Sequence, residues 1–248
     1  MLPDPKYFEY NGHLRENTIE FSKWRSSDLQ FDKTHQNKIQ HVIVDNIDKI
    51  KDHRVLDLGC AAGYLPYLCH YYGAKHVTGV NVRSDEIKVA NYFAEQVGMT
   101  NYNFVEQDIE DFSKTEELLK NVDTVIISFV LEHIRNPEYL IRLIAKSNVK
   151  HLIIGSTIVE DSITQPKLYY YTHDTEWKYN AHDGDRKKGL ACCPNSRWLE
   201  TVLYYHNWLI QDYKKCDQFV PWWFEQENLD TIPWFEKHVY FTSTRRQT

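Results

Sequence analysis

The stretch Arg54-Val-Leu-Asp-Leu-Gly-Cys-Ala-Ala-Gly-Tyr-Leu-Pro-Tyr-Leu-Cys69 constrains this chain more than any other. Val55, Leu56 and Leu58 make a short apolar run bounded by charge, which suits a buried strand. Five small residues follow, Gly59-Cys-Ala-Ala-Gly63, and apolar positions then return at Tyr64, Leu65, Leu68 and Cys69 with near-helical spacing. Strand, small-residue turn and helix together bring backbone N–H groups to a ligand at a helix N-terminus. Glycine in such a turn permits positive φ and close approach of a bound group.

The spacing separates the known turns of this kind. A dinucleotide fingerprint, G-x-G-x-x-G, needs a glycine where Tyr64 stands, and a phosphate loop needs Gly-Lys-Ser/Thr, which is absent. Asp57-x-Gly59-x-Ala61-x-Gly63 instead resembles the first motif of class I S-adenosylmethionine-dependent methyltransferases, D/E-x-G-x-G-x-G. Ala61 takes the place of the middle glycine and is less free at positive φ. The resemblance implies that Asp57, Gly59, Cys60, Ala61 and Gly63 contact the cofactor. The alternative is a tight strand-to-helix turn with no ligand.

Downstream segments repeat the strand–helix alternation. Residues 76–82 read as a second strand ending near Asn81 and Val82, and Ser84-Asp-Glu86 reads as a capped helix start. In the family, and in dinucleotide-binding relatives, an acid at the end of this strand meets the ribose hydroxyls. Here it is Asn81, which can hydrogen-bond but carries no charge. Asn81 with Arg83 is also compatible with an NADP-dependent oxidoreductase. Residues 103–109 read as a third strand running into Asp108 and Ile109, which match the family's adenine-contacting acid and the apolar residue after it. Residues 122–129 are a near-continuous apolar run, as a buried parallel strand requires. They end in Ser128-Phe-Val-Leu-Glu-His133, which resembles the "V-L-E-H" segment of many small-molecule methyltransferases and places Phe129 at the cofactor. Glu132 and His133 are candidate acid–base groups there, or else they cap the next helix. The Asn/Asp-Pro-Pro-Tyr motif of enzymes that methylate DNA bases or glutamine is absent.

Pro137 opens a helix, and residues 149–156 read as strand five. Residues 157–194 then lose clear period and hold His173-Asp174 and His182-Asp183 among many tyrosines. They read as a substrate-recognition insertion in which His173 or His182 is a further catalytic candidate. Their spacing is not that of a metal site, and none is expected. Residues 35–50 form an amphipathic helix, and residues 1–34 an N-terminal arm or lid. A helix over 194–205, a strand at 208–213, an aromatic loop and a strand at 237–245 resemble the antiparallel hairpin that closes this family's sheet.

The resemblance therefore implies one domain over residues 35–248 of α/β class. It is a Rossmann-like three-layer αβα sandwich with a seven-stranded, mostly parallel sheet and an antiparallel last strand. The implied reaction is methyl transfer from S-adenosyl-L-methionine to an oxygen or nitrogen of a small-molecule acceptor. Three other readings stay open: an RNA- or tRNA-modifying relative, an NADP-dependent oxidoreductase, and a non-catalytic cofactor-binding protein. A formal net charge of −6 disfavours a general nucleic-acid binder. No apolar run approaches the roughly 18 residues of a membrane helix. Five cysteines without C-x-x-C spacing, and an N-terminus without a signal pattern, point to a reducing, cytoplasmic setting with no structural zinc.

Overall fold

The computed structural model describes residues 37–159, 165–173, 189–217 and 235–246. Expectations for residues 1–34, for His182 and for the aromatic loop between residues 218 and 234 lie outside them.

An irregular helix, α1, covers residues 39–50. It is followed by β1 (Arg54–Leu58), α2 (Tyr64–Tyr71), β2 (His76–Asn81), α3 (Ser84–Gln96), β3 (Tyr102–Glu106) and α4 (Phe112–Leu119). Then come β4 (Thr124–Ser128), α5 (Pro137–Lys146), β5 (His151–Val159), β6 (Leu168–His173), β7 (Gly189–Pro194), α6 (Ser196–Tyr205), β8 (Trp208–Asp217) and β9 (Phe235–Arg245). Seven strands make one sheet in the order β3-β2-β1-β4-β5-β9-β8. β1 to β5 pair in parallel, and β9 runs antiparallel between β5 and β8. This is the expected architecture.

Alternation along the strands divides the core. Leu56, Leu58, Val125, Ile127, Leu152 and Ile154 pack with Leu140 and Ile144 of α5 and Leu203 of α6. Val55, Ile126 and Ile153 face the other way, against Ile43 of α1 and Leu65 and Leu68 of α2. Each such side chain contributes roughly 1.5–3 kcal/mol on leaving water. The two faces between them hold the sheet in a three-layer sandwich.

Several local expectations are corrected. The first helix is not regular: Ile39–Ile43 is a π turn, Val44–Asn46 a 3₁₀ turn, and Ile47–Ile50 is α. The buried Asn46 amide explains this, because its Nδ2 donates to the His41 carbonyl at 2.8 Å while its Oδ1 accepts from Thr242 at 2.7 Å. Ser84 does not cap α3; Arg83 occupies the cap position and no side chain caps it. Residues 112–119, unread in the sequence, form a helix capped by Asp111. The segment 157–194, without clear period in the sequence, holds strands. β5 runs on to Val159, and β6 pairs antiparallel with β7 as a separate two-stranded sheet.

Candidate functional site

Parallel strands bring their carboxyl ends to one edge of the sheet, where ligands of open α/β folds bind. Here the tips of β3, β2, β1 and β4 lie side by side, carrying residues 107–109, 81–83, 57–63 and 128–133. Asp57, Gly59, Cys60, Ala61, Gly63, Asn81, Val82, Asp108, Ile109, Phe129 and His133 are therefore gathered on this edge. His173 stands apart, in β6 of the second sheet opposite Gly189.

The bend after β1 is left-handed at three of its five residues: Gly59 at φ +85°, Ala61 at +46° and Gly63 at +86°. Ala61 thus adopts a conformation that glycine takes without cost. Gly59 is required by a neighbour within the protein. A Cβ there would lie 2.1 Å from Val130 Cγ2. Three amides of the bend are already used. Gly59 and Cys60 donate to the Val80 carbonyl at 2.8 and 2.9 Å, and Gly63 donates to Cys60 at 3.0 Å. The Ala61 and Ala62 amides donate to no group among the described residues, and Ala61 is exposed.

Asp57 is 1% exposed, and neither carboxylate oxygen has a hydrogen-bond partner among the described residues. Burial raises its pKa to about 7, against the opposing pull of the Lys38 ammonium. An isolated buried carboxylate is costly. Such a group at a strand tip beside a small-residue bend is suited to a cationic ligand.

Asn81 is not a lone stand-in for an acid. Its Nδ2 donates to Glu86 Oε2 at 2.6 Å, and its Oδ1 accepts from the Arg83 amide at 3.3 Å. Glu86, in the first turn of α3, is 4% exposed. The strand end therefore has its carboxylate, delivered five residues later from the helix. Arg83 is bound to Asp85 at 2.6 Å and lies 3.8 Å from Glu86. These acids compete with any ligand phosphate for the guanidinium, which weakens the NADP reading.

The loop after β3 is shaped from within. Asp108 Oδ1 accepts the Glu110 amide at 2.8 Å. The wholly buried Thr115 donates to the Ile109 carbonyl at 3.0 Å and accepts from Gln107 at 3.1 Å. Glu110 reaches across to accept the Arg135 and Asn136 amides at 3.0 and 3.1 Å, tying this loop to the start of α5.

Phe129 follows β4 at φ +56°, an uncommon conformation for a bulky residue, with its amide donating to Gly155 at 2.7 Å. The Lys38 ammonium lies 5.4 Å from its ring centroid. Burial lowers the Lys38 pKa, and the charges of Asp57 and Glu132 raise it. Glu132 is 6% exposed; its Oε1 accepts from Thr157 Oγ1 at 3.2 Å and its Oε2 has no partner among the described residues. Burial raises its pKa to about 7. Burial also lowers His133, to about 4, so that its imidazole is neutral at pH 7.

Glu86, Lys38 and Thr115 are the residues that the sequence reading missed. Glu86 carried a readable signal, an acid five residues past an anomalous Asn81. Lys38 and Thr115 carried none, because their relation to the site exists only across the fold. A hollow lined by Glu200, Tyr204, Ile210 and Tyr213 lies at the far β8 edge and shares none of these residues. Among the described residues, no helix is long and apolar enough to cross a membrane.

Residues 49–193 match the family model described as a methyltransferase domain. A ubiquinone biosynthesis O-methyltransferase of Paracidovorax citrulli is 28% identical over 125 residues, covering 50% of this chain and 51% of that protein. One from Chromobacterium violaceum is 30% identical over 122 residues, covering 48% and 50%. The chain spans about half the length of these relatives. Among solved structures, magnesium protoporphyrin IX methyltransferase from Synechocystis PCC 6803 with bound S-adenosylmethionine superposes with a TM-score of 0.61. It is 15% identical and aligned over 99% of this chain and 100% of that one. The matched domain, which spans more than half of the sequence, and the seven-stranded sheet with its reversed ninth strand place the chain in the class I S-adenosylmethionine-dependent methyltransferase family.

Proposed function

We propose that this protein transfers a methyl group from S-adenosylmethionine to a hydroxyl of a small molecule. The observation that carries the reading is the Asp57 carboxylate, buried at the tip of β1 beside the Gly59–Gly63 bend, with neither oxygen partnered among the described residues. A carboxylate so placed suits the cationic amino-acid end of the cofactor. The Ala61 and Ala62 amides suit its carboxylate, with Lys38 as a second positive group nearby. Glu86, held by Asn81, suits the ribose hydroxyls. Asp108 and Ile109 suit the adenine, and Val82 and Phe129 complete the apolar walls. The sulfonium supplies an activated methyl group and its own leaving group.

The chain's part in the reaction is alignment, exclusion of water and, for a hydroxyl acceptor, removal of a proton. Glu132 is better matched to that last task than His133. A base works best with a pKa near the operating pH, and Glu132 sits at about 7 while His133 sits at about 4. The Glu132 Oε2 lone pairs, unused among the described residues, take the proton. A hydroxyl acceptor is favoured over an amine because the sequence relatives are named as O-methyltransferases. The binding test is calorimetry with S-adenosylhomocysteine and with NADPH: binding of the first alone supports the reading, and binding of NADPH alone overturns it. The catalytic test is Glu132→Gln, expected to lower turnover by about 10²–10⁴-fold at unchanged cofactor affinity.

A further inference from the structure

The vicinal pair Cys192 and Cys193 lies in β7, inside the insertion, and all five cysteines are free thiols. Neighbours in a strand point to opposite faces, so the pair grips two different places. Cys192 Sγ lies 3.2 Å from the Leu131 carbonyl and 3.5 Å from that of Ile134, the two ends of the turn that carries Glu132 and His133. Cys193 Sγ lies 3.5 Å from the Thr157 carbonyl, and the Thr157 hydroxyl donates to Glu132 Oε1. Both thiols are wholly or almost wholly buried, and burial raises the Cys192 pKa to about 12, so that it stays a protonated donor. A single buried carboxylate is thus bracketed. One thiol fixes the backbone on either side of it, and the other fixes the residue that holds its oxygen.

From this geometry we infer that Cys192 and Cys193 are positioning residues for Glu132, clamping its turn to β7 of the insertion. The inference rests on the reading of Glu132 as the proton-accepting group. Its physical content is the S–H donor: weak as thiol hydrogen bonds are, the one Cys192 proton is shared between two carbonyls of buried residues. A serine at 192 keeps a donor, whereas a valine fills similar space without one.

The test compares Cys192→Val, Cys192→Ser and wild type by two measurements that need no acceptor. In hydrogen exchange, Cys192→Val is expected to speed exchange of the His133 and Ile134 amides by about tenfold, with Cys192→Ser close to wild type. In the second, the Glu132 carboxyl is titrated by carbon-13 resonance and assigned through Glu132→Gln. The midpoint is expected near 7 in wild type and Cys192→Ser, and displaced toward the ordinary range in Cys192→Val, whose loosened turn admits water. Cys193→Ala is expected to displace the same midpoint through Thr157. Equal exchange and equal midpoints in the valine and serine variants overturn the clamp. Methyl transfer to catechol, whose hydroxyls stay protonated at pH 7 and must lose a proton to react, followed in Glu132→Gln alongside, judges the catalytic reading separately: full activity there removes the base while leaving the clamp to the two measurements above.

Discussion

The Asn81 side-chain amide donates to Glu86 Oε2 over 2.6 Å, at the point where a carboxylate at the end of β2 is expected. The strand end carries the amide and the helix carries the charge, so the pair supplies an acid whose orientation Asn81 fixes.

Removing that charge isolates its part. Glu86→Gln is expected to weaken S-adenosylhomocysteine binding by about 1.5–3 kcal/mol, the scale of a hydrogen bond to a charged group. Titration calorimetry measures it, and an unchanged affinity would take Glu86 out of the site.

Gly59 answers to Val130 as well as to any ligand. In Gly59→Ala the new Cβ meets Val130 Cγ2 at 2.1 Å on backbone at φ +85°, so a loss of about 1–3 kcal/mol in unfolding free energy is expected. Val130→Ala removes the methyl groups at fault. A double-mutant cycle in denaturant should show the pair less destabilised than the sum of its members. Strict additivity would place the strain elsewhere.

Glu132 makes stability depend on pH in a stated direction. Its folded pKa, about 7, lies above the ordinary carboxylate value, so the folded state holds the proton more tightly than the unfolded chain. The stability that the neutral form confers is complete below the unfolded pKa and is lost as pH rises toward 7. Glu132→Gln mimics the protonated form. It should match wild type at pH 4 and exceed it by a few kcal/mol, about 2–4, at pH 8. Denaturant melts at the two pH values check this, and a pH-independent difference would refute the raised pKa. His133, lowered to about 4 by burial, works in the opposite sense in both proteins and cancels in the comparison.

Lys38 is the cation that opposes this rise. In Lys38→Met the Asp57 and Glu132 carboxylates lose a favourable charge, so their midpoints should move up, by roughly half a unit to one unit. Carbon-13 titration of both groups reads it. Midpoints that stay in place would mean that the ammonium is too well solvated to matter.

Thr115 ties the loop bearing Asp108 and Ile109 from beneath. Thr115→Val keeps the shape, removes both hydrogen bonds and leaves the Ile109 carbonyl without its hydroxyl donor. A loss of about 1–3 kcal/mol in stability is expected, with a smaller fall in cofactor affinity.

The parallel character of the sheet was legible from local pattern. Val55-Leu56 and the continuous run at 124–128 are buried on both faces, and continuous apolar runs with helices between them permit little besides a parallel sheet. The bend at Gly59–Gly63 was legible for the same reason, since its small residues mark positive φ directly. The irregularity of α1 was not, because it follows from the contact between Asn46 and Thr242 across 196 residues. The β6–β7 pair escaped because its alternation is masked by tyrosines, and cysteines read as small apolar residues.

By itself the sequence determined the five parallel strands, the bend after β1 and the helices α2, α3 and α5, because periodicity and turn chemistry act over a few residues. Only the tertiary structure decided that Gly59 faces Val130, that the Glu86 carboxylate meets the Asn81 amide at the end of β2, and that burial of Asp57 and Glu132 near Lys38 brings two carboxylates to about pH 7. Desolvation and charge interaction depend on what surrounds a group in space, and that surrounding exists only once distant segments have packed together.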